Sequence, residues 1–142
     1  MVKKKIKKFW NNRSHKKNYA GSNTLSGDML ETNYLSSIIK KNSTILDAGC
    51  GNGIFFSRLY KKIKYKRALG IDYSEGMIYN AQKRNLPQTS FIVDDITIPS
   101  KILQVVDNIK KIFFFRKKFL IEIKSFSFIS SLLFLFIKYV TF

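Results

Sequence analysis

Four aspartates stand at the ends of short apolar runs in the middle of this 142-residue chain. Asp47 lies near the end of STILDA, Asp72 closes RALGID, and Asp94 and Asp95 close SFIVDD. Behind Asp47 comes AGCGNG, with glycines at 49, 51 and 53. Glycine gives a turn access to positive φ and lets a ligand approach the backbone closely. A carboxylate two residues before the first of them repels a pyrophosphate and favours a ligand with an ammonium or another cation. Asp72 follows Gly53 by nineteen residues, where a carboxylate can accept hydrogen bonds from two ribose hydroxyls. The glycine spacing is not the dinucleotide fingerprint G-x-G-x-x-G, because Ile54 occupies the place of its third glycine. No G-K-[ST] follows either, so a P-loop is excluded. The three strand ends together suit a ligand that has a cationic part, a ribose and an amino-bearing base.

Placing these acids at one edge requires a particular order of elements. STILDA, RALGID and SFIVDD read as strands. Between them IFFSRLYKKIK and SEGMIYNAQKR read as helices, the second with Ser74 as N-cap and Glu75 in its first turn. Alternating strands and helices build parallel βαβ units, whose ligands bind at the carboxyl ends of the strands. Upstream, MLETNYLSSIIK brings Met29, Leu30, Tyr34, Leu35, Ile38 and Ile39 near helical spacing. A short helix is expected around Lys4–Trp10 and a loop over Asn18–Asp28.

On these residues the chain resembles the class I S-adenosylmethionine-dependent methyltransferases. ILDAGCGNG is similar to that family's motif I, LGIDYSEGMIYNA to motif II and FIVDDITIP to motif III, and the likeness covers residues 29 to about 99. The resemblance implies an α/β, Rossmann-like methyltransferase fold and S-adenosylmethionine as cofactor. It implies that Asp47, with the turn Ala48, Gly49, Gly51 and Gly53, holds the methionine moiety. Asp72 would take the ribose hydroxyls, and Tyr73 and Met77 would lie against the adenine. Asp95 would meet the adenine amino group, with the Ile96 backbone N–H beside it and Asp94 as the competing acid. FWNNRSHKKNY is similar to the segment that many members fold over the cofactor, which makes Trp10 and Tyr19 candidates there. Tyr73 and Met77 also read as ordinary helix-packing residues. The implied reaction is methyl transfer to an unknown acceptor, expected to be a small molecule. No catalytic base and no metal ligand set stand out. His15, the lone histidine, reads as a solvated side chain, and Cys50 as a small buried filler.

The rest of the chain departs from that pattern. Lysine and arginine number 26 against 9 acids, giving a net charge of +17. Residues 1–20 hold eight of the basic residues and no acid, whereas 21–108 are nearly balanced. Basic ends suit phosphate backbones or an anionic membrane, and also a merely solvated tail. One cysteine leaves no disulfide framework and suggests a reducing, cytoplasmic setting. The start, MVKKKIKKFW, lacks the apolar stretch of a secretory signal. Three parts are expected: a basic polar segment at 1–27, a cofactor-binding half at 28–100 and a basic, Phe-rich tail at 101–142. Nine of 13 phenylalanines fall in 113–142, and no fourth strand of the family's type is evident. The sheet is therefore expected to be partial, with three strands and their helices. For the tail three readings stand: a frameshifted or degenerate continuation of a truncated, catalytically impaired member; a membrane anchor around the uncharged run at 125–137; or divergent strands that complete a smaller sheet. Two further functions compete with methyl transfer: a membrane-associated basic protein with a vestigial cofactor fold, and a nucleic-acid-binding methyltransferase relative.

Overall fold

Three apolar runs, each too short for a helix of useful length and rich in Ile, Leu, Val and Phe, form neighbouring parallel strands. A computed structural model describes residues 2–21, 25–95, 112–116 and 119–123. β1 is Thr44–Ala48, β2 Arg67–Asp72 and β3 Thr89–Val93. β1 pairs with β2 from Thr44↔Arg67 to Ala48↔Ile71, and β2 with β3 from Ala68↔Thr89 to Asp72↔Val93. Four of the five β1 residues are buried without alternation, as expected of a parallel strand covered on both faces.

The helices are α1 (Val2–Arg13), α2 (Leu25–Ile38), α3 (Ile54–Lys62) and α4 (Glu75–Gln82), with a 3-10 helix at Ser14–Tyr19. Ser74 caps α4 as expected: its backbone is extended and its Oγ accepts from the Met77 N–H at 3.2 Å. α3 starts from Gly53 in the left-handed conformation, and the Ile54 N–H is taken by Asn52 Oδ1 at 3.2 Å. α2 begins at Leu25, so the expected loop over Asn18–Asp28 stops earlier than its sequence suggested. Its apolar face is also narrower than read: Leu35 and Ile39 are buried, while Met29, Leu30 and Tyr34 are exposed.

The core sits between the sheet, α2, α3 and α4. Phe56 is its largest fully buried side chain, with its ring 6.0 Å from both Tyr65 and Phe91. Ile45, Leu59, Ala68, Ile78 and Ala81 fill the space around it. The three expected parallel strands are present, and on the far side of β1 the sheet continues beyond them. β4 (Ile112–Arg116) runs parallel to β1, from Thr44↔Ile112 to Asp47↔Phe115. β5 (Phe119–Ile123) then pairs antiparallel to β4. The strand reading of the tail therefore holds for these two segments. A Phe-rich apolar run hides a parallel strand well, because it carries no alternation. The run at 125–137 lies outside the described residues; among the described residues no helix is long and apolar enough to cross a membrane.

The resulting strand order is β3-β2-β1-β4-β5. Chain connections therefore leave β1 toward β2 on one side, while the chain returns beside β1 on the other as β4. Such a reversal opens a crevice at the carboxyl ends of the two central strands. The glycine turn after β1 lies at that place.

Candidate cofactor site at the carboxyl edge

The turn from β1 into α3 is held by the end of β2. The N–H groups of Gly49 and Cys50 both donate to the Ile71 carbonyl, at 2.7 and 3.0 Å. The Gly51 N–H donates to Asp72 Oδ2 at 2.9 Å, and the Ser74 N–H to Asp72 Oδ1 at 2.9 Å. Asp72 is thus a bracket that ties the first strand's turn to the second strand's turn. The two backbone donors use only part of a carboxylate's acceptor capacity.

The three glycines of this turn all have positive φ, +83°, +55° and +69°, but they serve different ends. A Cβ on Gly49 or Gly51 would meet nothing within 4 Å, so both border open space. A Cβ on Gly53 would meet Phe91 Cζ at 2.8 Å and Ala81 Cβ at 3.1 Å, so this glycine is needed by the core. The first two therefore leave a cradle at the crevice, and the third lets α3 pack.

Around the cradle stand the predicted acids. Asp47 is buried, with 7% of its surface exposed. The Asp94 N–H donates to the Asp72 carbonyl at 3.0 Å, which brings the third strand's end to the second's. Asp94 Oδ1 in turn accepts from the Asp95 N–H at 2.7 Å. Ile96 lies outside the described residues. The field of these acids is legible in Cys50, whose thiol is pushed well up by burial first, then by the Asp47 and Asp72 carboxylates. Cys50 is buried, so it serves as a packed, protonated thiol and not as a nucleophile. A turn with this potential disfavours phosphate and favours a cation.

Tyr73 is half-buried, with the Lys7 ammonium 5.0 Å from its ring centre. Met77 is almost fully buried, which gives it a place in the packing of α4. Among the described residues no group of His, Cys, Asp or Glu is arranged to hold a metal ion.

The sequence did not single out the residues that fasten α1 over this edge. Asn11 Oδ1 accepts from Ser74 Oγ at 2.5 Å and from the Gly76 N–H at 3.2 Å, while its Nδ2 donates to Glu75 at 3.0 Å. Lys3 donates to Asp95 Oδ2 at 2.9 Å, and Lys7 is paired with Glu75. Asn80 Nδ2 donates to the Ser14 carbonyl at 2.9 Å. Behind α1, Asn52 grips the Lys17 carbonyl, and Arg84 donates to the Asn52 carbonyl at 2.6 Å and to Asn18 Oδ1 at 2.8 Å. A segment this polar carries no periodic signal that announces its partners; only the helix N-terminus it caps makes its asparagine meaningful. Trp10 lies edge-on to Phe9, with ring centres 5.1 Å apart, and His15 is exposed. The side chain of Tyr19 is outside the described set.

The α1 clasp has a pH dependence of known sign. Lys7 and Asn11 hold the Glu75 carboxyl at about 2, below its ordinary 4.5. Its contribution is complete above pH 4.5 and is lost as pH falls toward 2. Glu75 is an exposed partner, so the effect is local. Fluorescence of Trp10, the chain's single tryptophan, is expected to stay constant near neutrality and to change across that acid window. In Glu75→Gln the same change is expected to be absent.

Comparison with known proteins agrees with this geometry. Residues 45–113 match the family described as methyltransferase domain. The chain is 33% identical over 81 residues to malonyl-[acyl-carrier protein] O-methyltransferase 1 of Ilyobacter polytropus, which covers 56% of this chain and 30% of that protein. The chain thus spans about a third of the length of the curated relative it matches. An S-adenosylmethionine-dependent methyltransferase from Anabaena variabilis has the same fold, with a TM-score of 0.61 at 18% identity over 80% of this chain and 47% of that one. Phosphoethanolamine N-methyltransferase 1 of Haemonchus contortus gives 0.52 at 24% identity over 68% of this chain and 22% of that one. The matched residues, the strand order and the glycine turn at the switch point make residues 45–113 similar to the methyltransferase domain family, in a fold shared with the Anabaena S-adenosylmethionine-dependent methyltransferase.

Proposed function

We propose that this chain binds S-adenosylmethionine at the carboxyl edge of β1, β2 and β3 and transfers its methyl group to a small-molecule acceptor. The observation that carries the reading is the cradle at Gly49 and Gly51, which borders open space, with Asp72 bonded to its Gly51 N–H and the third strand's acids joined to Asp72 through the Asp94 N–H. The residues fit the cofactor's chemistry. Asp47 lies where an ammonium or sulfonium gains from negative potential. In this reading Asp72 would accept from ribose hydroxyls and Asp95 from an adenine amino group. Tyr73 flanks the same edge, while Met77 supports it from within α4.

The bound cofactor supplies an activated methyl on a sulfonium; the protein supplies binding and orientation. Asp72 does double duty, because the carboxylate that would hold the ribose also fixes the glycine turn through the Gly51 N–H. Asn11, Lys3 and Lys7 hold α1 across the strand ends, where a helix limits access of water to the edge. The Ilyobacter relative is named as an O-methyltransferase of malonyl-[acyl-carrier protein]. A carboxylate oxygen on a small acyl group is accordingly the first acceptor to try.

The test is calorimetric titration of residues 1–142 with S-adenosylmethionine, followed by methyl transfer from labelled cofactor to a panel of small carboxylic acids and amines. Saturable binding at one site is the expected result; a folded chain that shows none defeats the proposal. Lys3 supplies an internal check. Its ammonium and an adenine amino group compete for the Asp95 carboxylate, and exposed ion pairs are worth at most about 1 kcal/mol. Lys3→Ala is therefore expected to tighten cofactor binding by about twofold to fivefold. A weakening would show that Asp95 does not face the base.

A further inference from the structure

α1 is docked the reverse of most surface helices. Its polar residues Lys3, Lys7 and Asn11 face the domain and are engaged by Asp95, Glu75, Ser74 and Gly76. Its apolar residues Ile6 and Phe9 point outward, 48% and 55% exposed. They lie three positions apart and share one strip of the helix. Lys4, Lys5 and Lys8 are exposed around the rest of the outward side. No acid occurs in α1, nor anywhere before Asp28.

We propose that this outward face of α1 docks on an anionic lipid surface, with Ile6 and Phe9 entering the headgroup–acyl boundary and Lys4, Lys5 and Lys8 pairing with lipid phosphates. Two features of the face select this occupant. Its charge is purely positive, which calls for an anionic partner. Its centre is apolar and includes an aliphatic side chain, which calls for an apolar layer directly beneath the anions. A bilayer interface offers both within the depth that an in-plane amphipathic helix reaches. A nucleic acid offers the anions but no place for Ile6, and single-strand binding leans on aromatic stacking that an aliphatic side chain cannot supply. The helix is already formed and fastened to the domain by Asn11 and two ion pairs, so docking would not have to meet the cost of folding it.

The test uses the full chain and sedimentation with vesicles of phosphatidylcholine containing phosphatidylglycerol as about one third of the lipid. Binding to these vesicles is expected, with little to phosphatidylcholine alone, and it should weaken as salt is raised. Ile6→Ser with Phe9→Ser is expected to lower affinity by about tenfold or more. Lys4→Gln, Lys5→Gln and Lys8→Gln together are expected to lower it by about a hundredfold, at about fivefold per lysine. Each variant keeps residues 101–142, so any affinity of that segment is common to all. Leu30→Ser with Tyr34→Ser, exposed apolar residues of α2, should change nothing. All five substituted positions on α1 are exposed, and matching circular dichroism and melting curves will establish that the variants fold. The proposal is overturned if the Ile6/Phe9 variant sediments like the parent, if the α2 variant loses the binding, or if neutral vesicles bind equally well. Salt-sensitive binding of a DNA duplex, without vesicle binding and indifferent to Ile6 and Phe9, would also overturn it and give the face to nucleic acid.

Discussion

Asp72→Ala is expected to abolish measurable S-adenosylmethionine binding while leaving a folded chain. Two contributions add. A carboxylate that accepts from two hydroxyls forms charge-assisted hydrogen bonds, each worth about 1.5–3 kcal/mol when removed from a shielded site. The pair alone corresponds to a loss of about a hundredfold or more. The second contribution is specific to this protein. Asp72 also accepts from the Gly51 and Ser74 N–H groups, both at 2.9 Å, so alanine frees the glycine turn from β2 and disturbs the cradle itself. Asp72→Asn separates the two effects. An amide keeps one acceptor oxygen but turns an N–H₂ toward one of the two backbone donors. Its binding loss should fall between wild type and alanine, with a melting temperature nearer to wild type. Calorimetry reads the affinity and thermal unfolding the scaffold. Undiminished binding in the alanine variant would move the ribose away from β2 and remove the basis of the proposed function.

The second large effect is expected in the core beneath the site. Gly70 lies in β2, paired with Asp47 on one side and Phe91 on the other. A Cβ there would stand 2.6 Å from Phe91 Cδ1 and 2.8 Å from Cys50 Sγ. Both neighbours are buried, and the Phe91 ring is also held by Phe56 at 6.0 Å. Neither can retreat without moving the glycine turn or the aromatic cluster. Gly70→Ala is therefore expected to destabilise by about 1–3 kcal/mol, the usual cost of forcing extra carbon into a close-packed interior. For a chain of this size that is a fall of roughly 5–10 °C in melting temperature. Phe91→Leu should recover part of the loss in the Gly70→Ala background while destabilising the wild type. Contacting residues give such non-additive pairs. Strict additivity of the two substitutions would show that the ring is not what the new methyl strikes. Because Cys50 belongs to the glycine turn, Gly70→Ala should also weaken cofactor binding, though Gly70 lies beneath the ligand's edge and not in it.

These two residues also separate what is local from what is not. The acids at 47, 72 and 94–95, the glycines between them and the N-cap at Ser74 were all visible in the chain, because each acts within a few residues of where it stands. A strand end, a turn and a helix start are short-range events, set by apolar runs, positive φ and one side-chain acceptor. Three alternating strands and helices then dictate a parallel sheet, and a parallel sheet dictates that its acids share an edge. In this way residues 43–95 expressed their architecture and the chemistry of the ligand without help from the rest.

Tertiary structure decided everything that depends on distant partners. Only the fold reveals that Gly49 and Gly51 border open space while Gly53 and Gly70 make room for the Phe91 ring, since all four read alike in sequence. Asn11 gains its role from meeting the start of α4, 63 residues away along the chain, and nothing near it hints at that partner. β4 is a strand because β1 has an unpaired side to offer; its run of phenylalanines carries no period that separates strand from tail. The inward turn of Lys3 and Lys7 follows from the acids they meet at Asp95 and Glu75. With those charges drawn inward, Ile6 and Phe9 are left outside. Sequence fixes the local grammar because backbone geometry is short-ranged; which faces are hidden is a property of the whole packed chain.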